Sequence, residues 1–234
     1  TLSGNTIGGT SLSTGLRALN PTALSTQNQT VFGIRSSYSG NLYLTDNTVQ
    51  FLDNNSRSAG SSNSLSANHQ TVGIASTAGL NFLSGNTVRN LSNASPNPQV
   101  NSGASVIGIA MQSTTGAQSV VGNTVHSLSN TNATGSPVSV VGIVDLITST
   151  PTSFFGKSLI AKNNVHSFSV ASQNPIATMY GITAVNRAAD IVNNMVRLGI
   201  DASGTSVSNG CIIAGIIKQQ TLSNTSTLPY AIGN

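Results

Sequence analysis

Apolar residues along this chain come in short clusters of three to seven, set apart by Ser, Thr, Asn and Gly, and the clusters form two alternating phrases. The first phrase is two mostly apolar residues followed by Gly-Ile: Val31-Phe32-Gly33-Ile34, Thr71-Val72-Gly73-Ile74, Val106-Ile107-Gly108-Ile109, Val140-Val141-Gly142-Ile143, Met179-Tyr180-Gly181-Ile182 and Ile213-Ala214-Gly215-Ile216. The second is Asn-Thr-Val or a variant, beginning at Asn5, Asn47, Asn86, Asn123, Asn163 and Asn193. Successive glycines lie 40, 35, 34, 39 and 34 residues apart, and successive asparagines 42, 39, 37, 40 and 30. Three residues beyond the apolar member of the second phrase stands Leu52, Leu91, Leu128, Phe168 or Leu198; the first copy has Thr10 there.

A repeat of this length predicts a solenoid or a propeller before anything else. Helical repeats need amphipathic runs of about ten or more residues at a spacing of 3.6, and these clusters are too short and too often interrupted. Propeller blades would need four strands and usually aromatic signatures in each repeat. The pattern therefore predicts an all-β, right-handed parallel β-helix: one domain over residues 1–234, with about six coils of roughly 34–40 residues.

In such a fold equivalent residues pile up coil over coil. Ile34, Ile74, Ile109, Ile143, Ile182 and Ile216 are expected to form one inward file, sharing their face with the residue before each glycine. The glycine would then face outward and leave room for an overlying backbone. Asn47, Asn86, Asn123, Asn163 and Asn193 are expected at a turn, tolerating left-handed geometry and stacking their amides; a column of ligand-contacting amides is the functional alternative. Variable polar stretches, such as 53–70, 92–105, 129–139 and a further insertion near 148–156, read as surface loops.

Composition narrows the function. Charged residues are 6% of the chain, there is no Glu, and apolar residues reach 38%, which favours a folded β protein over a disordered polar one. The net charge of +4 comes from scattered Lys and Arg with no basic run and no Trp, so it reflects scarcity of acids and argues against a nucleic-acid partner. A single cysteine, Cys211, excludes an internal disulfide framework and reads as a buried small residue. The apolar run around it is far shorter than the about 20 residues a membrane span needs.

Chemistry has few candidates. The five acidic residues, Asp46, Asp53, Asp145, Asp190 and Asp201, fall at different places in the repeat, so no carboxylate pair of the kind glycoside hydrolysis needs is apparent. His126 and His166 occupy equivalent places after the Val of successive coils and are expected to stack, but no third metal ligand accompanies them. No phosphate-binding glycine loop, catalytic residue, metal site or cofactor site is assigned.

Residues 86–93 (Asn-Thr-Val-Arg-Asn-Leu-Ser-Asn) and 123–130 (Asn-Thr-Val-His-Ser-Leu-Ser-Asn) carry a family likeness. With the polar loop and the Val-x-Gly-Ile that follow, they resemble long secreted parallel β-helix repeat proteins of Bacteroidetes-type bacteria, a class exported by the type IX route. The resemblance implies an extracellular or cell-surface location and architecture without assigned chemistry. The expectation is a non-catalytic structural or adhesive solenoid: a surface stalk, filament or adhesin segment. It would be part of a longer repetitive chain or stack on identical subunits, with surface glycans or proteins as partners. The alternative is a carbohydrate-active β-helix, either lyase- or hydrolase-like or a glycan-binding module.

Overall fold

A computed structural model describes residues 1–19, 29–57, 59, 65, 69–114, 116–147, 156–219 and, as backbone, 231–233. Most of the insertion expected near 148–156, and much of the 53–70 loop, lies outside the described residues. The chain is a parallel β-solenoid of three sheets, each coil visiting the sheets in turn. The first sheet holds Leu2–Ser3, Asn41–Thr45, Leu80–Ser84, Ser119–Val121, Ser158–Ala161, Ala189–Val192 and Ala231–Gly233. The second holds Thr6–Ile7, Thr48–Asn54, Thr87–Asn93, Thr124–Asn130, Asn164–His166 and Met195–Arg197. The third holds Thr30–Ser36, Gln70–Ser76, Val106–Met111, Ser139–Leu146, Thr178–Val185 and Ile212–Gln219.

The isoleucines after each glycine are register partners from Ile34 to Ile216. Ile34 to Ile182 are buried in the central core, and Ile216, in the last coil, is half-buried against it. The glycines correct the expected alternation, because they point inward. A Cβ on Gly73 would lie 2.3 Å from Val88 Cγ1 and 2.6 Å from the Gly108 carbonyl oxygen; one on Gly108 would lie 2.3 Å from Val125 Cγ1 and 2.5 Å from that of Gly142. Register pairing steps over the glycine in every copy, so the strand bends there and the inward residues are three apart. Val31, Val106, Val140 and Met179 therefore join the isoleucines inside. The residue directly before the glycine faces out: Val72, Ile107 and Val141, with Phe32 and Tyr180, form a separate outer cluster beneath Leu65 and Ala104.

These clashes make a direct prediction. Gly108→Ala is expected to destabilise the fold by about 1–3 kcal/mol, since the methyl meets both a core side chain and a neighbouring backbone. Guanidinium unfolding would report it, and an unchanged midpoint would show that the third sheet has slack.

The asparagines form a continuous amide ladder. Asn47 Oδ1 accepts from the Asn5 backbone N–H at 3.1 Å and from Asn5 Nδ2 at 2.9 Å. The same pair of bonds links Asn47 to Asn86, Asn86 to Asn123, and Asn123 to Asn163. From Asn47 on, each Nδ2 also donates to a carbonyl of the preceding coil, as Asn86 does to Leu44 at 2.8 Å and Asn123 to Leu83 at 3.1 Å.

Asn193 is not the last rung. Asn163 donates from its backbone and side chain to Asn194 Oδ1, both at 2.9 Å, and the register pairs Val165 with Val196. Asn193 instead takes the left-handed position just before the ladder, with φ 54°, where other coils place Gly4, Asp46, Gly85, Gly122 and Lys162. The left-handed turn thus belongs to the residue before each ladder asparagine. A second left-handed column, Phe51, Asn90, Ser127 and Ser167, bends the second sheet and brings Leu52, Leu91, Leu128 and Phe168 back inside. The first coil has its equivalent leucine too, delayed by an excursion: Leu16 pairs with Leu52, and Thr10 lies in that loop.

Candidate functional site

The middle of the third sheet is covered on both faces, its strands Gln70–Ser76, Val106–Met111 and Ser139–Leu146 being buried throughout. The outer face of the second sheet is open. There the residue after the inward Val repeats in register as Gln50, Arg89, His126, His166 and Arg197. At about 4.8 Å per coil the column spans about 19 Å. It puts two guanidinium groups and two imidazoles in line with no carboxylate between them.

Alternation explains the placement: Val49, Val88, Val125 and Val165 are fully buried, so the next residue must face out. The imidazoles of His126 and His166 stack with centroids 5.0 Å apart and planes within 5°. Each Nδ1 is tied to the serine that follows, His126 to Ser127 at 2.9 Å and His166 to Ser167 at 2.8 Å, which fixes the rings. Arg89 donates through Nε and Nη2 to Gln50 Oε1 at 2.9 and 2.6 Å, and Arg197 Nη2 donates to Ser167 Oγ at 3.3 Å. Burial, then His166 and Arg89, pushes His126 below the ordinary imidazole range; burial, then Arg197, does the same to His166.

Beside the column runs a groove of about 200 Å3, floored by Phe51, Asn90, Ser127 and Ser167 and bounded by Leu12 and Ala202. A second hollow of about 250 Å3 lies among Asn164, His166, Met195 and Arg197. Asn164 Oδ1 is buried there without a hydrogen-bond partner.

The carboxylates do not converge. Asp53 pairs with Arg17 at 3.1 Å and Asp190 with Lys157 at 3.1 Å. Asp201 is held by its own turn, where the Ser203 hydroxyl, foremost, keeps its carboxyl below the usual range. Asp145 is fully buried against Arg187, Nε to Oδ1 2.9 Å, and burial raises its carboxyl despite that cation. Arg187 also donates to the carbonyls of Gly116 and Ser113, so this pair clamps one coil to another. Among the described residues no group of three or more His, Cys, Asp and Glu could hold a metal ion. His69 is an internal support, its Nδ1 2.8 Å from Ser56 Oγ, and Cys211 is half-buried against the core, which raises its thiol.

The sequence placed the histidine pair together. It missed that Gln50, Arg89 and Arg197 share the column, although Gln50 and Arg89 directly follow Val49 and Val88. Among the described residues no helix is long and apolar enough to cross a membrane. No family model, curated protein or solved structure matches the chain.

Proposed function

We propose that this chain is a non-catalytic extracellular solenoid of a bacterial surface, acting as a stalk, filament or adhesin segment. The carrying observation is where the periodic residues go. The Ile file, the inward Gly and the Asn ladder, which recur in coil after coil, all build the shaft. The aspartates of the described residues sit singly, none the register partner of another, and three of them are ion-paired to a cation. General acid–base work by two carboxylates has no support in that distribution. Neighbouring repeats or identical subunits would extend the shaft, and surface glycans or proteins would meet its open face.

The second reading, a carbohydrate-active β-helix, is favoured by the groove on the second sheet, which is lined by serines and Phe51. Incubating the protein with a panel of neutral and acidic polysaccharides, while following reducing ends and unsaturated products, separates the two. The expected result is no turnover on any of them. Sustained product formation that scales with protein concentration would replace the structural reading with the enzymatic one.

A further inference from the structure

We propose that the column Gln50–Arg89–His126–His166–Arg197 and the adjoining serine groove bind a linear carboxylated polysaccharide, with affinity that rises as pH falls. The inference deepens the reading of the chain as a non-catalytic surface solenoid and rests on it.

Two features select this ligand. From Arg89 to Arg197 the column repeats a cationic or protonatable group once per coil, so it matches a chain whose anionic groups also recur at regular short intervals. The groove beside it is lined by serines and Phe51 and is mainly apolar where it is accessible, which suits the apolar side of a sugar ring. A polyuronate supplies carboxylates and hydroxyl donors together. DNA supplies the anions without the hydroxyls, and the face lacks the series of aromatic platforms by which single strands are held.

The pH dependence follows from the groups around the rings. His126 faces His166 and Arg89, and His166 faces His126 and Arg197, so the charges around both are cationic. Of the acidic groups, Asp53 is occupied by Arg17, and Asp201, next to the groove-lining Ala202, is held within its own turn. Both imidazoles are therefore neutral near pH 7 in the free protein. A bound carboxylate stabilises the protonated form, so the complex takes up protons and forms more tightly on acidification.

Isothermal titration with polygalacturonate oligomers, a neutral dextran and a single-stranded DNA oligonucleotide of similar length tests this at about pH 5 and about pH 7.5. Polygalacturonate is expected to bind at least about tenfold more tightly at the lower pH, since two protonations contribute. H126N/H166N is expected to bind with little pH dependence, and Arg197→Gln, at an exposed position, to weaken binding at both values. Equal affinity for dextran, equal or tighter binding of the oligonucleotide, absence of polygalacturonate binding, or an undiminished pH effect in H126N/H166N would each overturn the proposal. Assaying the same mixtures for unsaturated products keeps the two readings apart. Tight binding with turnover would remove the non-catalytic reading and leave the binding face standing, whereas no binding and no turnover would do the reverse.

Discussion

Asn123→Leu is expected to destabilise the solenoid by about 2–6 kcal/mol, as it orphans two buried polar groups at about 1–3 kcal/mol each. The substitution keeps size and removes every amide function. Asn86 loses the acceptor for its backbone N–H, at 2.9 Å, and the Leu83 carbonyl loses its Nδ2 donor, at 3.1 Å. The links to Asn86 Nδ2 and Asn163 Oδ1 vanish as well. Asn123 is fully buried, so water cannot replace these partners without opening the corner between the first and second sheets. Guanidinium unfolding followed by circular dichroism measures the cost. A loss below about 1 kcal/mol, the size of one ordinary hydrogen bond, would mean the ladder is incidental to stability.

The second large effect concerns the buried pair of Asp145 and Arg187, exposed by 0% and 1%. Arg187→Met is expected to cost about 3–5 kcal/mol, because it strands a carboxylate in a dry interior. The loss should depend on pH in a defined sense. Burial already holds the Asp145 carboxyl above its unfolded value, and Lys218, whose ammonium donates to the Arg187 carbonyl, is the cation left nearby. Without Arg187 the carboxyl rises further, so the variant is least impaired below about pH 4, where the acid is neutral folded or unfolded. It then loses stability as pH rises towards the elevated value. The double variant Asp145→Leu/Arg187→Met is expected to regain most of the loss, since buried pairs exchanged for apolar residues are often neutral or better. If the double variant is as unstable as the single one, the clamp to Ser113 and Gly116 matters more than the charge.

Much of this architecture was legible in the sequence because solenoid repeats align equivalent residues, and the isoleucine after each glycine needs no finer rule. The strand faces were harder. Alternation assumes an unbroken strand, yet Phe51, Asn90, Ser127 and Ser167 adopt left-handed conformations that turn the second sheet mid-strand. Phe and Ser carry no signature for that geometry. The bend at each glycine likewise put the preceding residue on the outer face, where sequence reasoning had placed it inside.

The last ladder rung failed for a related reason. In Asn193-Asn194 both residues are asparagine, and asparagine suits the left-handed turn as well as the amide stack, so local preference cannot choose between them. Pairing of Val165 with Val196 decides it. The same one-residue slip hid Arg197 from the column it shares with the histidines. Gln50 and Arg89 went unread for another reason: unlike two histidines at equivalent places, a Gln and an Arg show no shared chemistry until the register pairs them.

The amide ladder also gives the molecule a sense of direction. Every ladder side chain from Asn5 to Asn163 gives its NH2 to the carboxamide oxygen of the following coil, and none of them points the other way. The aligned dipoles reinforce one another along the axis. A coil offered upside down would bring oxygen against oxygen, so two such shafts meeting head to head would repel where two meeting head to tail would join. If one such shaft were to extend another end to end, this polarity would favour head-to-tail addition over closure as a two-fold pair.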